Sequence, residues 1–118
     1  MYEEYMMDDA DVCIVAYGIS ARVSKNAIDM ARQKGIKVGM MRPITLWPFP
    51  KKEIRAIADR VKCFVSVEMS MGQLIEDVRL YTECTRPVLL CNRTGGMIVT
   101  PEQVLAKIEE ANKIGGNN

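Results

Sequence analysis

Two side chains that could do chemistry follow apolar runs of the sequence. Glu68 comes directly after the run Cys63–Val67, and Arg93 follows the run Pro87–Cys91 after one intervening residue. A carboxylate at the end of a buried strand loses part of its hydration and can act as a base or an ion-pair partner. An arginine there can clamp a carboxylate or phosphate, or lie in solvent or an interface. Glu68 has no second carboxylate beside it, so neither residue belongs to a complete catalytic set.

The chain contains no histidine, which excludes several kinds of active site. Ser-His-Asp and Cys-His nucleophile systems, HExxH zinc sites and an imidazole base all require that residue. The four cysteines include no CxxC pair, so they lack the ligand spacing of a zinc knuckle or an iron–sulfur cluster. We therefore expect no metal site and no catalytic residue. Cys13, Cys63 and Cys91 lie in apolar runs and are predicted to be small buried residues in a reducing, cytoplasmic compartment, with Cys84 as the fourth.

The segment from Arg42 to Pro50 is a rigid connection, because its three prolines forbid a regular helix or a central strand. It holds the only tryptophan, Trp47, and one of the two phenylalanines, Phe49. Exposed aromatic side chains on such a loop are typical anchors of a protein interface. Alternatively, both rings fold back over the edge of the sheet and close the core. The sequence leaves these two interpretations open.

Two serines stand where a helix begins after a strand-like run. Ser20 is a candidate N-cap, and Ser70 with Gln73 has the spacing of a capping box. The turn at Gly18 has one glycine where a dinucleotide fingerprint needs three, and no P-loop lysine follows. We interpret both places as capped turns, with small-anion binding at the helix N-termini as the alternative.

Short apolar runs alternate with helical stripes along the chain, a pattern typical of an α/β fold. Right-handed crossovers place helices on both faces of a parallel sheet, so the prediction is a three-layer α/β/α domain. The segment Glu3–Met7 is too close to the next run for a parallel crossover and is predicted as an antiparallel edge strand. The other strands are predicted at Val12–Tyr17, Ile36–Met41, Cys63–Val67 and Pro87–Cys91, and the helices begin at Ser20, Pro50, Ser70 and Thr100.

The first predicted helix ends at Gly35, which can adopt a left-handed conformation after the last helical turn. The last predicted helix has Thr100 and Gln103 at capping-box spacing with Pro101 in its first turn. The apolar side of the first helix is predicted to consist of Val23, Ala27, Met30, Ala31 and Lys34.

Composition sets the broad class of the protein. With 118 residues the chain fits one domain, and its net charge of +1 gives no basic excess for binding nucleic acid. The N-terminal segment is acidic where a secretory signal is basic and then apolar, and no apolar run reaches membrane-spanning length. We expect a cytoplasmic protein without membrane or nucleic-acid partners, and a frayed tail at residues 115–118.

Four segments carry a family resemblance: ADVCIVAYG at 10–18, KVGMMRPITLWPFP at 37–50, VSVEMSMGQLIEDVRL at 65–80 and NRTGGMIVTPEQVL at 92–105. In this order and spacing they resemble the C-terminal domain, core domain II, of the alpha subunit of 2-oxoacid:ferredoxin oxidoreductases. That domain belongs to the transketolase C-terminal-like group. The combination of EMSMGQ with NRTGGM is most similar to the 2-ketoisovalerate type.

The resemblance implies a five-stranded, mostly parallel sheet with one antiparallel edge strand. It also implies a parent enzyme that oxidatively decarboxylates a 2-oxoacid to an acyl-CoA and reduces ferredoxin, using thiamine diphosphate, magnesium, iron–sulfur clusters and coenzyme A. The family's GDG diphosphate motif and cluster cysteines are missing from this sequence. We therefore expect residues 1–118 to be one domain of a longer subunit, binding none of these cofactors itself and packing against other domains and subunits.

Five residues match the family's characteristic loop positions, and contact with neighbouring domains or subunits is the hypothesis for each. They are Arg42, Trp47, Phe49, Glu68 and Gln73. Arg93 is a further interface candidate from its place after an apolar run. The alternative is a free-standing interaction module without enzymatic role, including a homodimer through the Trp47 loop.

Overall fold

The computed structural model describes residues 2–16, 18–43, 51–68, 86–92 and 99–114. The strands are β1 (Tyr2–Tyr5), β2 (Val12–Val15), β3 (Val38–Pro43), β4 (Cys63–Glu68) and β5 (Val88–Asn92). The helices are α1 (Ile19–Gln33), α2 (Lys51–Ala58) and α3 (Pro101–Lys113). The predicted alternation of strands and helices is confirmed for these residues.

The five strands form one mixed sheet in the order β1-β3-β2-β4-β5. β2 pairs in parallel with both β3 and β4, and β4 pairs in parallel with β5. β1 lies at one edge and pairs antiparallel with β3. The predicted antiparallel edge strand is therefore confirmed, and so is the fold class.

Helices cover both faces of the sheet because successive strand residues point to opposite sides. On one face Val12, Ile14 and Val65 pack with residues of α1 and α3. On the other face Cys13 and Phe64 pack with α2, through residues such as Ile54 and Ile57. Every residue of β2 and β4 is buried, as expected for parallel strands covered on both sides. The result is the predicted three-layer arrangement, with two cores separated by the sheet.

β1 ends two residues earlier than the sequence indicates, at Tyr5 rather than Met7. Met6 has a φ of 59°, a left-handed conformation that cannot continue a strand. The turn at Met6 and Met7 lies directly against Gly39 of β3. A Cβ atom at position 39 would lie 2.5 Å from the Met6 carbonyl oxygen and 2.7 Å from the Met7 sulfur. The close approach of this turn to the sheet therefore requires glycine at that position.

Arg32 of α1 holds the same turn onto the sheet. Its Nε donates to the Val38 carbonyl at 3.0 Å, and its Nη2 donates to the Met6 carbonyl at 2.8 Å. The guanidinium also pairs with Asp9 at 2.7 Å. The hydrogen bond from Arg32 holds the pKa of the Asp9 carboxyl below its usual value. One side chain thus connects α1, β3 and the β1–β2 loop.

Tyr5 fixes β1 to α1 at a second point. Its hydroxyl donates to Asp29 Oδ1 at 2.8 Å, and Lys25 Nζ lies 5.4 Å from the centre of its ring. The hydrogen bond to Asp29 raises the pKa of Tyr5. β1 therefore contacts the domain through side chains as well as through its pairing with β3.

The start of α1 differs from the prediction. Gly18, with a φ of 65°, occupies the N-cap position, and no side chain caps the helix. Ser20 lies inside the first turn and is buried, so its prediction as the N-cap is wrong. The glycine makes the sharp turn from β2 into the helix, which moves the helix start back to Ile19.

The buried side of α1 is also shifted from the predicted stripe. α1 ends at Gln33, so Lys34 lies just beyond the helix and is exposed. The Lys34 Nζ pairs with Glu109 Oε2 at 2.8 Å. The C-terminal signal is confirmed, since Gly35 follows the helix with a φ of 84°. The residues of α1 that are buried are Ser20, Ala21, Ser24, Ala27, Ile28 and Ala31.

The start of α3 follows the prediction. Thr100 Oγ1 accepts a hydrogen bond from the Gln103 backbone at 3.2 Å, and Gln103 Oε1 accepts one from the Thr100 backbone at 3.0 Å. Pro101 begins the helix. This reciprocal pair satisfies backbone donors that the helix itself leaves unpaired. The capping box is therefore confirmed.

The strand boundaries differ from the predicted ones where pairing within the sheet, and not the local sequence, determines them. β3 begins at Val38 rather than Ile36 and extends through Arg42 and Pro43, because β1 pairs with it as far as Tyr2. The prediction that the rigid connection includes Arg42 and Pro43 is therefore wrong, because both residues belong to β3. The rest of the predicted segment, residues 44–50, lies outside the described residues. The predicted helix from Ser70 and the tail at 115–118 lie outside the described residues.

Candidate interface at the carboxyl edge of the sheet

The carboxyl ends of β2, β3, β4 and β5 meet at one edge of the sheet, because these four strands are parallel. From β2 the chain crosses to β3 by way of α1 on one face, and from β3 it crosses to β4 by way of α2 on the other. The two crossovers run in opposite directions along the sheet, so the switch point lies between β2 and β4. Ligands of open α/β sheets bind at this kind of crevice.

Glu68 is the last residue of β4, at this crevice. Its Oε2 accepts a hydrogen bond from Ser66 Oγ at 2.9 Å. Ser66 is fully buried and Glu68 is 4% exposed. A buried carboxylate is costly unless hydrogen-bonded, and the serine two residues earlier lies on the same strand face to supply that bond. The prediction of a desolvated carboxylate at a strand end is confirmed in its geometry, and the role of Ser66 was missed.

Arg42 lies on a different part of this edge. Its Nη1 is 3.3 Å from Glu3 Oε1 of β1, and both side chains are partly exposed. Because side chains alternate along β3, Arg42 shares its face with Met40, which packs in the core beneath α1. Glu68 shares its face with Phe64, in the core beneath α2. The sheet therefore places Arg42 and Glu68 on opposite faces and does not bring them together.

Four further candidates from the sequence lie outside the described residues. They are Trp47, Phe49, Gln73 and Arg93. Their contact roles stay predictions.

Ile19 is a large apolar side chain that is 51% exposed at this edge, in the first turn of α1. In a monomer a single exposed apolar residue is ordinary, but this one stands beside the crevice between β2 and β4. The sequence analysis missed Ile19, because its position outside the buried stripe depends on where the helix begins.

Ser24 Oγ is buried without a hydrogen-bond partner, the one described side-chain polar atom in this condition. A buried hydroxyl without a partner loses the free energy of its hydration. The amphipathic pattern of α1 does not predict that the Ser24 hydroxyl is buried, since serine is compatible with either side of a helix.

The described cysteines are buried in the cores and unpaired. Burial raises the pKa of Cys13 and of Cys91, and it raises the pKa of Cys63 to about 11. Metal ligation requires the thiolate, which burial disfavours here. These three thiols therefore do not fit an iron–sulfur cluster, and the described ranges hold no group of three His, Cys, Asp or Glu side chains arranged for a metal.

A groove of about 550 Å³ runs between β5 and α3, away from the crevice. The helix residues that line it recur at the spacing of one helical face. The lining consists of Leu90, Cys91, Gln103, Ala106, Lys107 and Glu110.

None of the described helices is long and apolar enough to cross a membrane.

Comparison with known proteins gives a consistent family. Residues 10–104 match the family described as pyruvate:ferredoxin oxidoreductase core domain II. The chain is 53% identical over 109 residues to the ketoisovalerate oxidoreductase subunit VorB of Methanothermobacter marburgensis, covering 92% of this chain and 31% of that protein. It is 37% identical over 101 residues to the 2-oxoglutarate synthase subunit KorA of the same organism, covering 86% of this chain and 27% of that protein. The chain thus spans about a third of these relatives.

Solved structures show the same fold. The 2-oxoglutarate:ferredoxin oxidoreductase from Magnetococcus marinus, with 2-oxoglutarate, coenzyme A and succinyl-CoA bound, matches with a TM-score of 0.84 and 27% identity. The match covers 96% of this chain and 20% of that one. A split-gene transketolase, an inactive beta4 tetramer, matches with a TM-score of 0.85 at 20% identity over 98% of this chain and 42% of that one, a likeness of fold alone. From the motifs, the sheet and these matches, the chain belongs to the core domain II family of 2-oxoacid:ferredoxin oxidoreductases.

Proposed function

We propose that this chain is the core domain II part of a 2-oxoacid oxidoreductase that acts on 2-ketoisovalerate. The reaction is oxidative decarboxylation of the 2-oxoacid to an acyl-CoA with reduction of ferredoxin. The observation that carries the proposal is the 53% identity to a ketoisovalerate oxidoreductase subunit over 92% of the chain. Identity to a 2-oxoglutarate synthase subunit is lower, at 37%.

Within this enzyme we propose a positioning role for the domain. Thiamine diphosphate, magnesium, the iron–sulfur clusters and coenzyme A are held by other domains and subunits, and ferredoxin reacts with the assembled complex in the cytoplasm. The buried state of Cys13, Cys63 and Cys91 supports this division, since protonated core thiols are poor cluster ligands. Similarity to parts of much longer subunits also disfavours a free-standing interaction module.

The carboxyl edge of the sheet is the proposed contact with the neighbouring domain or subunit. Glu68 and its serine partner form a buried polar pair there, and Ile19 supplies an exposed apolar side chain. An exposed apolar side chain is a typical contact at the centre of an interface, where the buried area is more apolar than at the rim. The candidates Arg42, Trp47, Phe49, Gln73 and Arg93 extend the same proposal along the chain.

The test is a chimera in which this chain replaces the matching segment of the Methanothermobacter VorB subunit within its complex. We expect an assembled enzyme that reduces ferredoxin with 2-ketoisovalerate and coenzyme A, and we expect weaker assembly when this chain replaces the matching segment of the KorA subunit of the 2-oxoglutarate synthase. Better assembly and activity in the KorA complex than in the VorB complex contradicts the assignment to a ketoisovalerate enzyme. Ferredoxin reduction by the isolated chain, without partner chains, contradicts the positioning role.

Variants of the chimera test the contact surface. Glu68→Gln keeps the shape of the side chain and removes its charge, and we expect about a tenfold weaker assembly if the carboxylate faces a partner group. Ser66→Ala is the matched variant, since it removes only the internal hydrogen bond. Asp59→Asn, at an exposed position just after α2, is the control that changes charge away from the crevice. Equal assembly in all three variants would remove Glu68 from the interface.

A further inference from the structure

Two methionines stand side by side in the turn after β1, and they differ in exposure. The Met6 side chain is 45% exposed, whereas that of Met7 is 3% exposed. Met7 packs with Cys13 and Met41 in the core beneath α2. Two adjacent residues with the same side chain therefore lie one in solvent and one in the core.

The backbone of the turn holds this arrangement. Met6 has a φ of 59°, a left-handed conformation that residues other than glycine seldom adopt. Its carbonyl accepts a hydrogen bond from Arg32 Nη2 at 2.8 Å. The Ala10 amide donates to the Met7 carbonyl at 3.3 Å. Because an unfavourable φ persists only where surrounding contacts hold it, these hydrogen bonds keep Met6 outside the core and Met7 inside it.

The Met7 sulfur lies directly against β3. A Cβ atom at Gly39 would be 2.7 Å from this sulfur. An oxygen atom added to the sulfur would need room in a closely packed core and a hydrogen-bond donor. The turn, β3 and α1 all belong to the described ranges 2–16 and 18–43.

A thioether reacts with peroxides without help from another group. Hydrogen peroxide transfers one oxygen atom to the sulfur: the O–O bond breaks, an S–O bond forms, the sulfur loses two electrons and water is released. The product, methionine sulfoxide, is polar and can be reduced again by sulfoxide reductases. The oxidant must reach the sulfur, so exposure determines the rate.

The same reaction has different consequences at the two positions. At Met6 the sulfoxide oxygen is hydrated, and the fold loses little stability. At Met7 the sulfoxide places a polar oxygen in an apolar core, which destabilises the folded chain. Oxidation of the turn is therefore tolerated only while it stops at Met6.

We propose that the Met6–Met7 turn is a site of methionine oxidation by peroxides that reacts in two stages. Met6 reacts in the folded chain without loss of structure. Met7 reacts only when the turn opens, and the hydrogen bond from Arg32 to the Met6 carbonyl determines how often it opens. The site depends on the geometry of the turn and not on the reaction proposed for the parent enzyme.

Treatment of the 118-residue chain with hydrogen peroxide, followed by peptide mass spectrometry, measures the oxidation rate of each methionine. Fragment ions distinguish Met6 from Met7. We expect Met6 to react about tenfold faster than Met7 or more, because the Met7 rate is limited by opening of the turn. Circular dichroism should stay unchanged when only Met6 is oxidised. Equal rates at the two positions overturn the proposal.

Arg32→Ala removes the donor to the Met6 carbonyl. We expect it to make Met7 oxidation about tenfold faster and to change the Met6 rate less than about twofold. Arg22→Ala is the matched control, because it removes an exposed arginine near the opposite end of α1. Equal Met7 rates in the two variants contradict control of the turn by Arg32.

If Arg32→Ala fails to fold by circular dichroism, low concentrations of urea take its place. Below the unfolding transition, urea should raise the oxidation rate of Met7 and leave that of Met6 nearly constant, because only Met7 requires an opening. Parallel changes in both rates contradict the two-stage reaction.

Discussion

The two edges of the sheet are built differently. β1 carries two adjacent glutamates and is tied to the domain by Tyr5, Arg32 and the close packing at Gly39. β5 is uncharged, and a groove lined by Leu90, Cys91 and α3 lies beside it. An edge strand either repels further strands by its charges or offers them a template. The comparison indicates that, among the described residues, the β1 edge is protected by charge and the β5 edge is not.

The largest effect on the β1 side is expected for Gly39→Ala. The new methyl group meets the Met6 carbonyl at 2.5 Å, and backbone atoms must move to admit it. We expect a loss of about 3 kcal/mol in the free energy of unfolding, measured by urea denaturation. Gly35→Ala is the control, since its surroundings are open and only its φ of 84° is unfavourable; about 1 kcal/mol is expected. Equal losses would mean that the turn does not press on the sheet.

Arg32→Ala is expected to have the next largest effect. It leaves the carbonyls of Val38 and Met6 without their side-chain donor. We expect a loss of about 2 kcal/mol in the free energy of unfolding, with faster hydrogen exchange of β1 than of β4. Arg32→Lys keeps the charge and loses the planar fork, so it should recover only a small part. Full recovery by lysine would reduce the role of Arg32 to charge alone.

The double variant Glu3→Thr/Glu4→Thr tests the edges directly. Threonine suits a strand and removes the charges, so the free energy of unfolding should change by less than about 1 kcal/mol. The β1 edge should then accept other strands, and light scattering should show association that the parent chain lacks at that edge. The single variant Glu3→Gln removes only one of the two charges, so it should cause less association than the double variant. Unchanged scattering in the double variant would show that charge does not protect β1.

The smallest effect concerns the pH dependence of the Asp9–Arg32 pair. The folded pKa of Asp9 lies below its unfolded value, so the pair contributes stability above the unfolded pKa. That contribution is lost as the pH falls through the folded pKa. Urea midpoints of the parent chain and of Asp9→Asn should therefore differ near neutral pH and converge at acidic pH. A difference that persists at low pH would assign the effect of Asp9 to packing.

Much of the fold follows from local patterns in the sequence. The Thr100 capping box, the glycine after α1 and the antiparallel edge strand were all predictable, because each depends on residues close together in the chain. The N-cap of α1 was predicted wrongly, since Gly18 permits a sharp turn that lets the helix begin before Ser20. Strand ends were imprecise for β3, whose length depends on its partner β1.

The candidate site was predictable only in part. A carboxylate at the end of β4 could be expected at Glu68 from the apolar run before it. The hydrogen bond between Glu68 and Ser66 depends on both side chains sharing a buried face of β4. The placement of Arg42 on the opposite face of the sheet depends on the register of the strands. The groove beside β5 could be found from the helical spacing of its lining only after α3 was placed against that strand.

For the described residues, the sequence by itself determined which segments are strands and helices, which residues are apolar enough to be buried, and that β1 is charged while β5 is not. Those properties depend on side-chain chemistry and on periodicity over a few residues. Only the tertiary structure decided that β2 lies at the centre of the sheet, that β5 lies at an edge, and that Glu68 and Arg42 lie on opposite faces. Strand order and facing depend on crossovers between distant segments, whose packing no local pattern specifies.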